Sequence, residues 1–539
     1  MGNSNWDINR PSVLMWKYEK NCFLRLLNKK EFFAASLIFI AAFFIRIYDL
    51  GRFPLNHDEA NRMLAGADNF TYFLGIPISC FKGYVWPFSS LLISISRIFL
   101  VSPEYAARIP AVIFGTLTVI LVYFLCRVMY GKMAAVFSAL LLAFLPWHIY
   151  QSRDGREMIY VPFFGTLLFL ILFLSIKRRS RLLFILFCFF LGASSFYTYG
   201  ASLTHIFVFL VIIIWLRKEF IWLPGSTILF GILVFIATVF PIVYLHLKGE
   251  IVWTTFRGYH KNPFSGPLLF NLWNNISHNL WLVIESLFIT SKGRIIYAAS
   301  FYAPLLINVI SVVLIILAFF KMGIRRSVSD KIVVIWLFLA IIGSSAFMSF
   351  FHPDYIIAAL VPLIVLLGSG VTVCYDAAIG KIGKMAATIL TGLLLSFLLI
   401  VSLSQSINFY RYGPYDFEVC RKNSYGCKDA ALFLSRIPGI DKCSVVTDTR
   451  MATLIYLDYI LKRQPCIDKN LTKYYVVWAP TSHPQDYWDG IFTYGYKMFS
   501  LQFPREVPIY TAVYPNGIPA LYVYKVEDIK GEYIKWGTP

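Results

Sequence analysis

The sequence has few charged residues. They make up 14% of the 539 residues, whereas an average soluble domain is about a quarter charged. Hydrophobic residues make up 58% of the chain. This composition excludes an ordinary soluble enzyme and a disordered chain, and it predicts that most of the length lies in lipid.

Acidic residues are fewer than basic ones, with 29 Asp and Glu against 49 Lys and Arg. A basic excess can indicate a nucleic-acid-binding protein. Up to Gln405, however, the chain has 33 basic and 16 acidic residues, against 16 and 13 after it. The excess therefore lies in short loops between apolar segments, as it does on the cytoplasmic side of membrane proteins. Nucleic acid is not an expected partner.

The nine cysteines include no Cys-x-x-Cys pair and no Cys/His cluster. Spacings of that kind are typical of structural zinc sites. Such a site is therefore not expected.

Eleven apolar segments are long enough for membrane spans, which need about 17–25 residues. They are 32–48, 109–126, 133–149, 158–176, 182–199, 201–216, 226–247, 301–320, 332–351, 355–375 and 385–404. Segment 85–101 is also apolar, but it contains Pro87 and Arg97. If it crossed the membrane, every later basic loop would change sides. We therefore predict an interfacial or re-entrant helix there and a cytoplasmic N-terminus.

This topology puts loop 49–107, turn 150–157, loop 248–300 and the region after 405 on the extracytoplasmic face. Residues 1–405 would form a transmembrane domain and 406–539 an extracytoplasmic α/β domain. The patterns in the second domain predict one helix and three strands. These are the helix Ala430–Ile437 and the strands Cys443–Asp448, Tyr474–Trp478 and Ala520–Val526.

His57, Asp58 and Glu59 follow the first span directly, before a helical pattern. Acids in the first turn of a helix often act only as caps. Because acids are scarce in the membrane part, the triplet also fits a general base or a metal site.

A second charged cluster, Ser152–Glu157, lies in the turn between two spans. Its carboxylates, Asp154 and Glu157, are three positions apart and would share a face if the turn were helical. The cluster could form salt bridges at the membrane surface, or a site for an anionic ligand.

Several further residues have two interpretations. The basic ones could bind phosphate or face lipid headgroups: Arg62, Lys82, Arg97, Arg153, Arg156, Arg257 and Lys261. Tyr197 and Tyr199 could stack on a sugar or belong to the aromatic belt of the membrane interface. His352 could face a cavity or belong to a turn.

The motif Asn56-His57-Asp58-Glu59-Ala60 resembles the first-loop motif of the GT-C glycosyltransferases. The resemblance is to the branch of the protein O-mannosyltransferases and the lipid A aminoarabinose transferase, glycosyltransferase family 39. Residues 146–155 (PWHIYQSRDG), Tyr197-Thr198-Tyr199 and His352-Pro353 also resemble pieces of its bacterial members. Asn61 stands where the aminoarabinose branch has Arg, and Phe81-Lys82-Gly83 where it has Glu-Lys-Pro. These departures argue against the aminoarabinose enzyme itself.

The resemblance implies a polytopic α-helical membrane protein of GT-C type, with about 11 transmembrane helices, juxtamembrane helices and a C-terminal extracytoplasmic α/β domain. Such a protein would lie in the inner or plasma membrane. It would transfer a sugar, with inversion, from a polyprenyl-phosphate donor to a hydroxyl or phosphate of a glycan, lipid or protein acceptor outside the cytoplasm.

The resemblance also assigns residues. Asp58, Glu59 and Asp154 would be catalytic, with Asp58 as the base. Substrate would be bound by His57, Arg62, Lys82, Arg153, Glu157, Tyr197, Tyr199, Arg257 and His352. A divalent metal ion, if the reaction uses one, would be bound by Asp58, Glu59 and His57.

A transporter or flippase of lipid-linked substrates is the alternative function. Transporters usually have ionisable groups near mid-membrane and internal repeats with broken helices. Here the acids cluster at one face and no repeat is visible, so the sequence favours the transferase.

Overall fold

The computed structural model describes twelve stretches of the chain. They are residues 29–65, 72–73, 76–77, 87–247, 268–288, 309–347, 353–412, 425–440, 444–447, 453–461, 473–479 and 505–526.

Helices dominate the described residues up to 412. They are α1 (Lys29–Ile47), α2 (His57–Ala65), α3 (Pro87–Phe99), α4 (Pro103–Met129), α5 (Lys132–Phe144), α6 (Pro146–Ser152), α7 (Tyr160–Arg178), α8 (Arg181–Tyr197), α9 (Thr204–Trp215), α10 (Gly225–Leu247), α11 (Leu268–Phe288), α12 (Val309–Arg325), α13 (Val328–Phe347), α14 (Leu360–Ile382) and α15 (Lys384–Tyr412). Strands β1 (Tyr72–Phe73) and β2 (Ile76–Pro77) pair antiparallel after α2.

Six of the described helices are long and apolar enough to cross a membrane. They are α4, α7 with the turn before it, α10, α13, α14 and α15. The bent pair α5 and α6 would be a seventh. Each of the eleven predicted spans overlaps a helix in the described residues, although Leu145 and a few residues at span ends are not helical. The number of spans stays a prediction. A helix, α3, is also found in segment 85–101.

The third predicted span, 133–149, is broken rather than straight, with a bend of 63° between α5 and α6. Pro146 has no N–H to donate, so the end of α5 keeps free carbonyls. Arg46 of α1 supplies the missing donors to Ala143 O at 3.0 Å and Leu142 O at 3.4 Å, and it bonds His148 Nδ1 at 2.7 Å. This buried arginine thus fixes α1 against the bend.

Helix α11 lies in the stretch 248–300, for which the sequence predicts only a long loop. Its Asn275 and Asn279 donate to the carbonyls of Ala346 and Ser345 on α13, both at 3.1 Å. Polar residues interrupt its apolar pattern, so no run of span length exists in this stretch. A length criterion therefore does not detect this helix.

In the described C-terminal part, a four-stranded sheet packs with two helices. Its strands are β3 (Val445–Thr447), β4 (Lys473–Trp478), β5 (Tyr510–Val513) and β6 (Pro519–Val526), and its helices are α16 (Cys427–Leu434) and α17 (Thr453–Ile460). The order is β3-β4-β6-β5, with β3 and β4 parallel and the other pairs antiparallel. The small α/β unit is thus confirmed, and β5 and α17 are additional to the prediction. Helix α15 continues past the predicted border at 405, and the two-domain division stays a prediction.

One apolar cluster joins this sheet to the membrane part, and we call it the junction cluster. On the membrane side it contains Leu55, Ala60, Met63, Ile93, Ala106 and Ala107. On the other side it contains residues of α16, α17 and the sheet, among them Leu434, Tyr456, Leu457 and Val476. Helices α2 and α4 therefore both pack against the C-terminal unit.

Gly370 permits the close packing of α14 against α12. A Cβ at this position would overlap the backbone carbonyl of Leu314. We expect Gly370→Ala to lower the free energy of unfolding by about 1–3 kcal/mol, the usual cost of overpacking. Thermal unfolding of the purified protein in detergent measures this effect.

Gly380→Ala is the matched control, because an added Cβ there meets nothing within 4 Å on the same helix. It should be neutral or stabilise by up to about 1 kcal/mol, since Ala favours helix over Gly. Equal effects of the two substitutions would contradict the packing described for α12 and α14.

Candidate active site

Four acidic side chains meet where the loop after α1 faces the turn after α6. Asp58 and Glu59 come from the first turn of α2, and Asp154 and Glu157 from the turn before α7. Glu59, Asp154 and Glu157 are buried, whereas the side chain of Asp58 is 31% exposed. Of these four carboxylates, Asp58 is the one that a ligand can reach.

The start of α2 is a reciprocal cap between Asn56 and Glu59. Asn56 Oδ1 accepts from Glu59 N at 2.8 Å, and Glu59 Oε2 accepts from Asn56 N at 3.0 Å. This capping box satisfies two backbone donors that a helix start leaves free. The capping interpretation of the acidic triplet thus applies to Glu59, and Asp58 is not part of this cap.

Glu59 also bonds two other segments. Arg108 of α4 donates to Oε1 from Nε at 2.7 Å and to Oε2 from Nη2 at 2.8 Å. Gly155 N donates to Oε1 at 2.8 Å. An ionised carboxylate has about four lone-pair sites, and together with Asn56 N these donors fill them. Glu59 is therefore bound as a structural carboxylate in this site.

Gly155 allows the second turn to come this close. A Cβ on it would lie 2.7 Å from the backbone oxygen of Ala107 in α4. The absence of a side chain thus lets the turn lie on α4 with its N–H directed to Glu59.

Arg108 orders the backbone of the first loop. Besides Glu59, it donates to Leu50 O, Phe53 O and Pro54 O, all at 2.8 Å. The sequence alone indicates no role for Arg108 or Asn56. The Asn-x-x-Glu spacing at 56–59 was a visible signal for the cap, whereas Arg108 was visible only as a lone arginine beside an apolar segment.

Asp154 orients Arg156 and reaches back to the first loop. Its Oδ2 accepts from Arg156 Nε at 2.5 Å, and its Oδ1 accepts from Asn56 Nδ2 at 3.1 Å. Arg156 Nη1 then lies 4.0 Å from Asp58 Oδ2. The predicted acids Asp58 and Asp154 are thus brought together through one guanidinium group.

Arg62 lies on the other side of Asp58. Glu157 accepts from Arg62 Nε at 2.5 Å and also contacts Nη2, while Nη1 lies 3.7 Å from Asp58 Oδ1. Burial lowers the pKa of Arg62, but the charges of Glu157 and Asp58 raise it above its usual value. Arg62 therefore stays charged, and Asp58 is flanked by two fixed cations.

Arg153 contacts the end of α1. Its guanidinium donates to Ile45 O, Tyr48 O and Asp49 O at 3.1, 2.5 and 2.9 Å, and it lies 4.1 Å from the ring centre of Tyr410. These carbonyls are left free where α1 ends. A role of Arg153 in substrate binding stays a prediction, and the observed contacts are those of a helix cap.

Of the two predicted tyrosines, Tyr197 is the last residue of α8 and Tyr199 follows the helix. Tyr197 Oη donates to Thr238 O of α10 at 2.9 Å, and Tyr199 is buried. Their sugar-binding role stays a prediction. Lys82, Arg257, His352 and the side chain of His57 lie outside the described residues.

A metal site is not evident among the residues that the structure describes. They include no group of three or more His, Cys, Asp and Glu that could hold an ion. The oxygens of Glu59 are filled by donors, and Asp58 has an arginine on each side. Asp58 and Glu59, the described part of this donor set, do not fit a divalent cation, which prefers oxygen ligands; an ion bound together with His57 stays a prediction.

The chain is similar to known membrane transferases. Residues 86–241 match a family model described as dolichyl-phosphate-mannose-protein mannosyltransferase. No curated protein matches the chain.

Two structures of one solved protein share its fold, and a third structure matches more weakly. ArnT from Cupriavidus metallidurans bound to undecaprenyl phosphate has 12% identity and a TM-score of 0.53, and the match covers 94% of this chain and 99% of that one. The apo state of the same protein has 12% identity and a TM-score of 0.55, and the match covers 92% of this chain and 99% of that one. An oligosaccharyltransferase from Archaeoglobus fulgidus, tethered with an acceptor peptide, has 15% identity and a TM-score of 0.44. That match covers 80% of this chain and 59% of the other.

The family match and the two ArnT structures confirm the resemblance drawn from the sequence. The fold is the GT-C fold, with a small C-terminal sheet unit, and the chain is an integral membrane protein. This fold does not favour the transporter alternative.

Glu59→Gln tests the structural role of Glu59. An amide cannot accept all four donors and leaves the buried Arg108 without its charge partner. We expect the free energy of unfolding to fall by about 3–5 kcal/mol, as when one partner of a buried ion pair is removed. Denaturation of the purified protein measures this value. The neighbouring substitution Asp58→Asn is the control and should change the free energy of unfolding by less than about 1 kcal/mol. A Glu59→Gln protein as stable as that control would refute the structural role of Glu59.

Proposed function

We propose that the protein is an inverting glycosyltransferase that moves a sugar from a polyprenyl-phosphate donor to an acceptor hydroxyl or phosphate. The observation that carries this proposal is the environment of Asp58. It is a partly exposed carboxylate between two arginines, and each arginine is anchored by a buried carboxylate of its own. A base beside fixed cations matches what such a transfer needs.

Asp58 is the base in this proposal. One of its carboxylate oxygens takes the proton of the acceptor hydroxyl while the acceptor oxygen bonds to the anomeric carbon of the sugar. The bond from that carbon to the phosphate oxygen breaks, and its electron pair leaves with the polyprenyl phosphate. Attack opposite the leaving group inverts the configuration and needs a single carboxylate base.

Arg62 and Arg156 stabilise the leaving phosphate. The donor phosphate needs cationic stabilisation more than protonation, and guanidinium groups bind phosphate well. Glu157 and Asp154 hold the two arginines in place, so little reorganisation is needed when charge develops. Asp154 and Glu157 thus act on the arginines, and Glu59 holds the loops together.

The donor class is supported by the fold and by its relatives. ArnT from Cupriavidus metallidurans binds undecaprenyl phosphate, and the matched family model names a dolichyl-phosphate sugar. We propose the same class of lipid carrier here, with a hexose or pentose as the sugar and a glycan, lipid or protein as the acceptor.

The site and the C-terminal unit belong, in this proposal, on the extracytoplasmic face of the inner or plasma membrane. The basic loops between α4 and α5, between α7 and α8, and between α12 and α13 lie on the opposite side from the turn 153–157 in the predicted topology. The charge rule for cytoplasmic loops supports this orientation.

Asp58→Asn tests the proposed reaction. Transfer from radiolabelled polyprenyl-phosphate sugars by the purified protein in nanodiscs should fall about 10²–10⁴-fold, the usual cost of losing a general base. The protein should remain folded, because the cap of α2 is formed by Asn56 and Glu59 rather than Asp58.

Asp49→Asn is the matched control. Asp49 is also an exposed aspartate paired with an arginine, Arg52 at 3.2 Å, but that arginine is not one of the two beside Asp58. It should transfer at the rate of the unsubstituted protein. An Asp58→Asn protein with normal turnover would leave the proposal without its base.

A metal requirement is tested by chelation. Because the two arginines already supply the positive charge, we expect transfer to stay within about twofold in EDTA. Loss of transfer in EDTA that Mg²⁺ or Mn²⁺ restores would instead make Asp58 a metal ligand.

A further inference from the structure

The helix that carries Asp58 is held by the C-terminal unit as well as by α4. Tyr456 of α17 is 2% exposed, and its hydroxyl oxygen accepts from Leu55 N at 2.8 Å. Burial raises the pKa of Tyr456, and the charge of Glu104 adds to the shift. The hydroxyl therefore stays protonated and accepts the bond from Leu55 through a lone pair.

The contact lies one residue before the cap of α2. Leu55 precedes Asn56, whose side chain accepts from Glu59 N and donates to Asp154. A shift of the backbone at Leu55 would therefore move both the first turn of α2 and its link to the second loop.

Two further contacts attach the same surfaces. Ala60 and Met63 on α2 lie fully buried in the junction cluster against the C-terminal unit. Lys428 of α16 pairs with Glu104 at the start of α4, with Nζ and Oε1 at 2.9 Å. The C-terminal unit thus contacts both helices that bear on Asp58.

We propose that Tyr456 is a positioning residue for the transfer reaction: it fixes the entry to α2 and thereby the place of Asp58. This inference rests on the proposed function. Glu157 and Asp154 hold Arg62 and Arg156 from the turn before α7. Although Arg62 is on α2, the turn before α7 keeps both arginines in place, so loss of the Tyr456 contact should affect the base more than donor binding.

Tyr456→Phe removes the acceptor and keeps the ring in the junction cluster. A displacement of about 1 Å can cost up to about 10²-fold in rate, and we expect kcat to fall about tenfold with the KM for the donor within about twofold. Hydrogen–deuterium exchange of the full-length protein in nanodiscs should rise in the peptide covering residues 50–60.

Tyr510→Phe is the matched control. It removes a hydroxyl from the same sheet unit and keeps the ring that stacks on Phe433 at 4.5 Å. Exchange in residues 50–60, kcat and KM should all remain those of the unsubstituted protein. If Tyr456 had a merely structural role, Tyr456→Phe would lower the amount of folded protein and leave the kcat of the folded fraction unchanged. That result would overturn the inference.

Lys428→Gln provides a second variant, at a side chain that is 50% exposed. It weakens the attachment of the C-terminal unit to α4 and should raise exchange in residues 50–60 in the same direction. Unchanged exchange in both variants would overturn the inference, whatever the activity. If the unsubstituted protein transferred no sugar, the proposed function would fail, while the exchange data would still decide the positioning of α2.

Discussion

One buried carboxylate joins the parts on which the site depends. Glu59 closes the cap of its own helix, receives two donors from Arg108 on α4, and accepts the Gly155 N–H from the second turn. These three segments are distant in sequence and meet at two oxygen atoms. A buried polar network of this kind is stable when every member is satisfied, and the neighbouring Asp58 lies between Arg62 and Arg156.

Much of the architecture follows from local patterns in the sequence. Apolar length predicts the helices and strands, and basic loops predict a common side for Asp58 and Asp154. The bend in the third span is different, because Pro146 indicates a break but not what compensates it. The donors come from Arg46, far away in sequence, and no local pattern contains that pairing. Helix α11 is not predicted for a related reason, because its asparagines form hydrogen bonds with carbonyls of α13.

For the site, the sequence predicts which residue types take part, but not which partners their side chains face. Arg153, Arg156 and Arg62 are all arginines beside acids, and the sequence gives them equal standing as phosphate ligands. In the structure Arg153 faces the carbonyls at the end of α1, while Arg62 and Arg156 face Asp58. Arg108 was overlooked because its four partners lie in the first loop, about 50 residues before it. Backbone geometry decides which charge meets which partner, and only the folded chain contains it.

The bond between Tyr456 and Leu55 joins residues separated by 401 positions. During synthesis, the first helices enter the membrane long before α17 exists, because domains form in order from the N-terminus. The surface of α2 that packs in the junction cluster therefore lacks its C-terminal packing partner while most of the chain is synthesised. Closing so long a loop is entropically costly and comes late in folding. A chain truncated before α17 would insert into the membrane and still lack the fixed first loop, so completion of the polypeptide itself controls when the site is assembled.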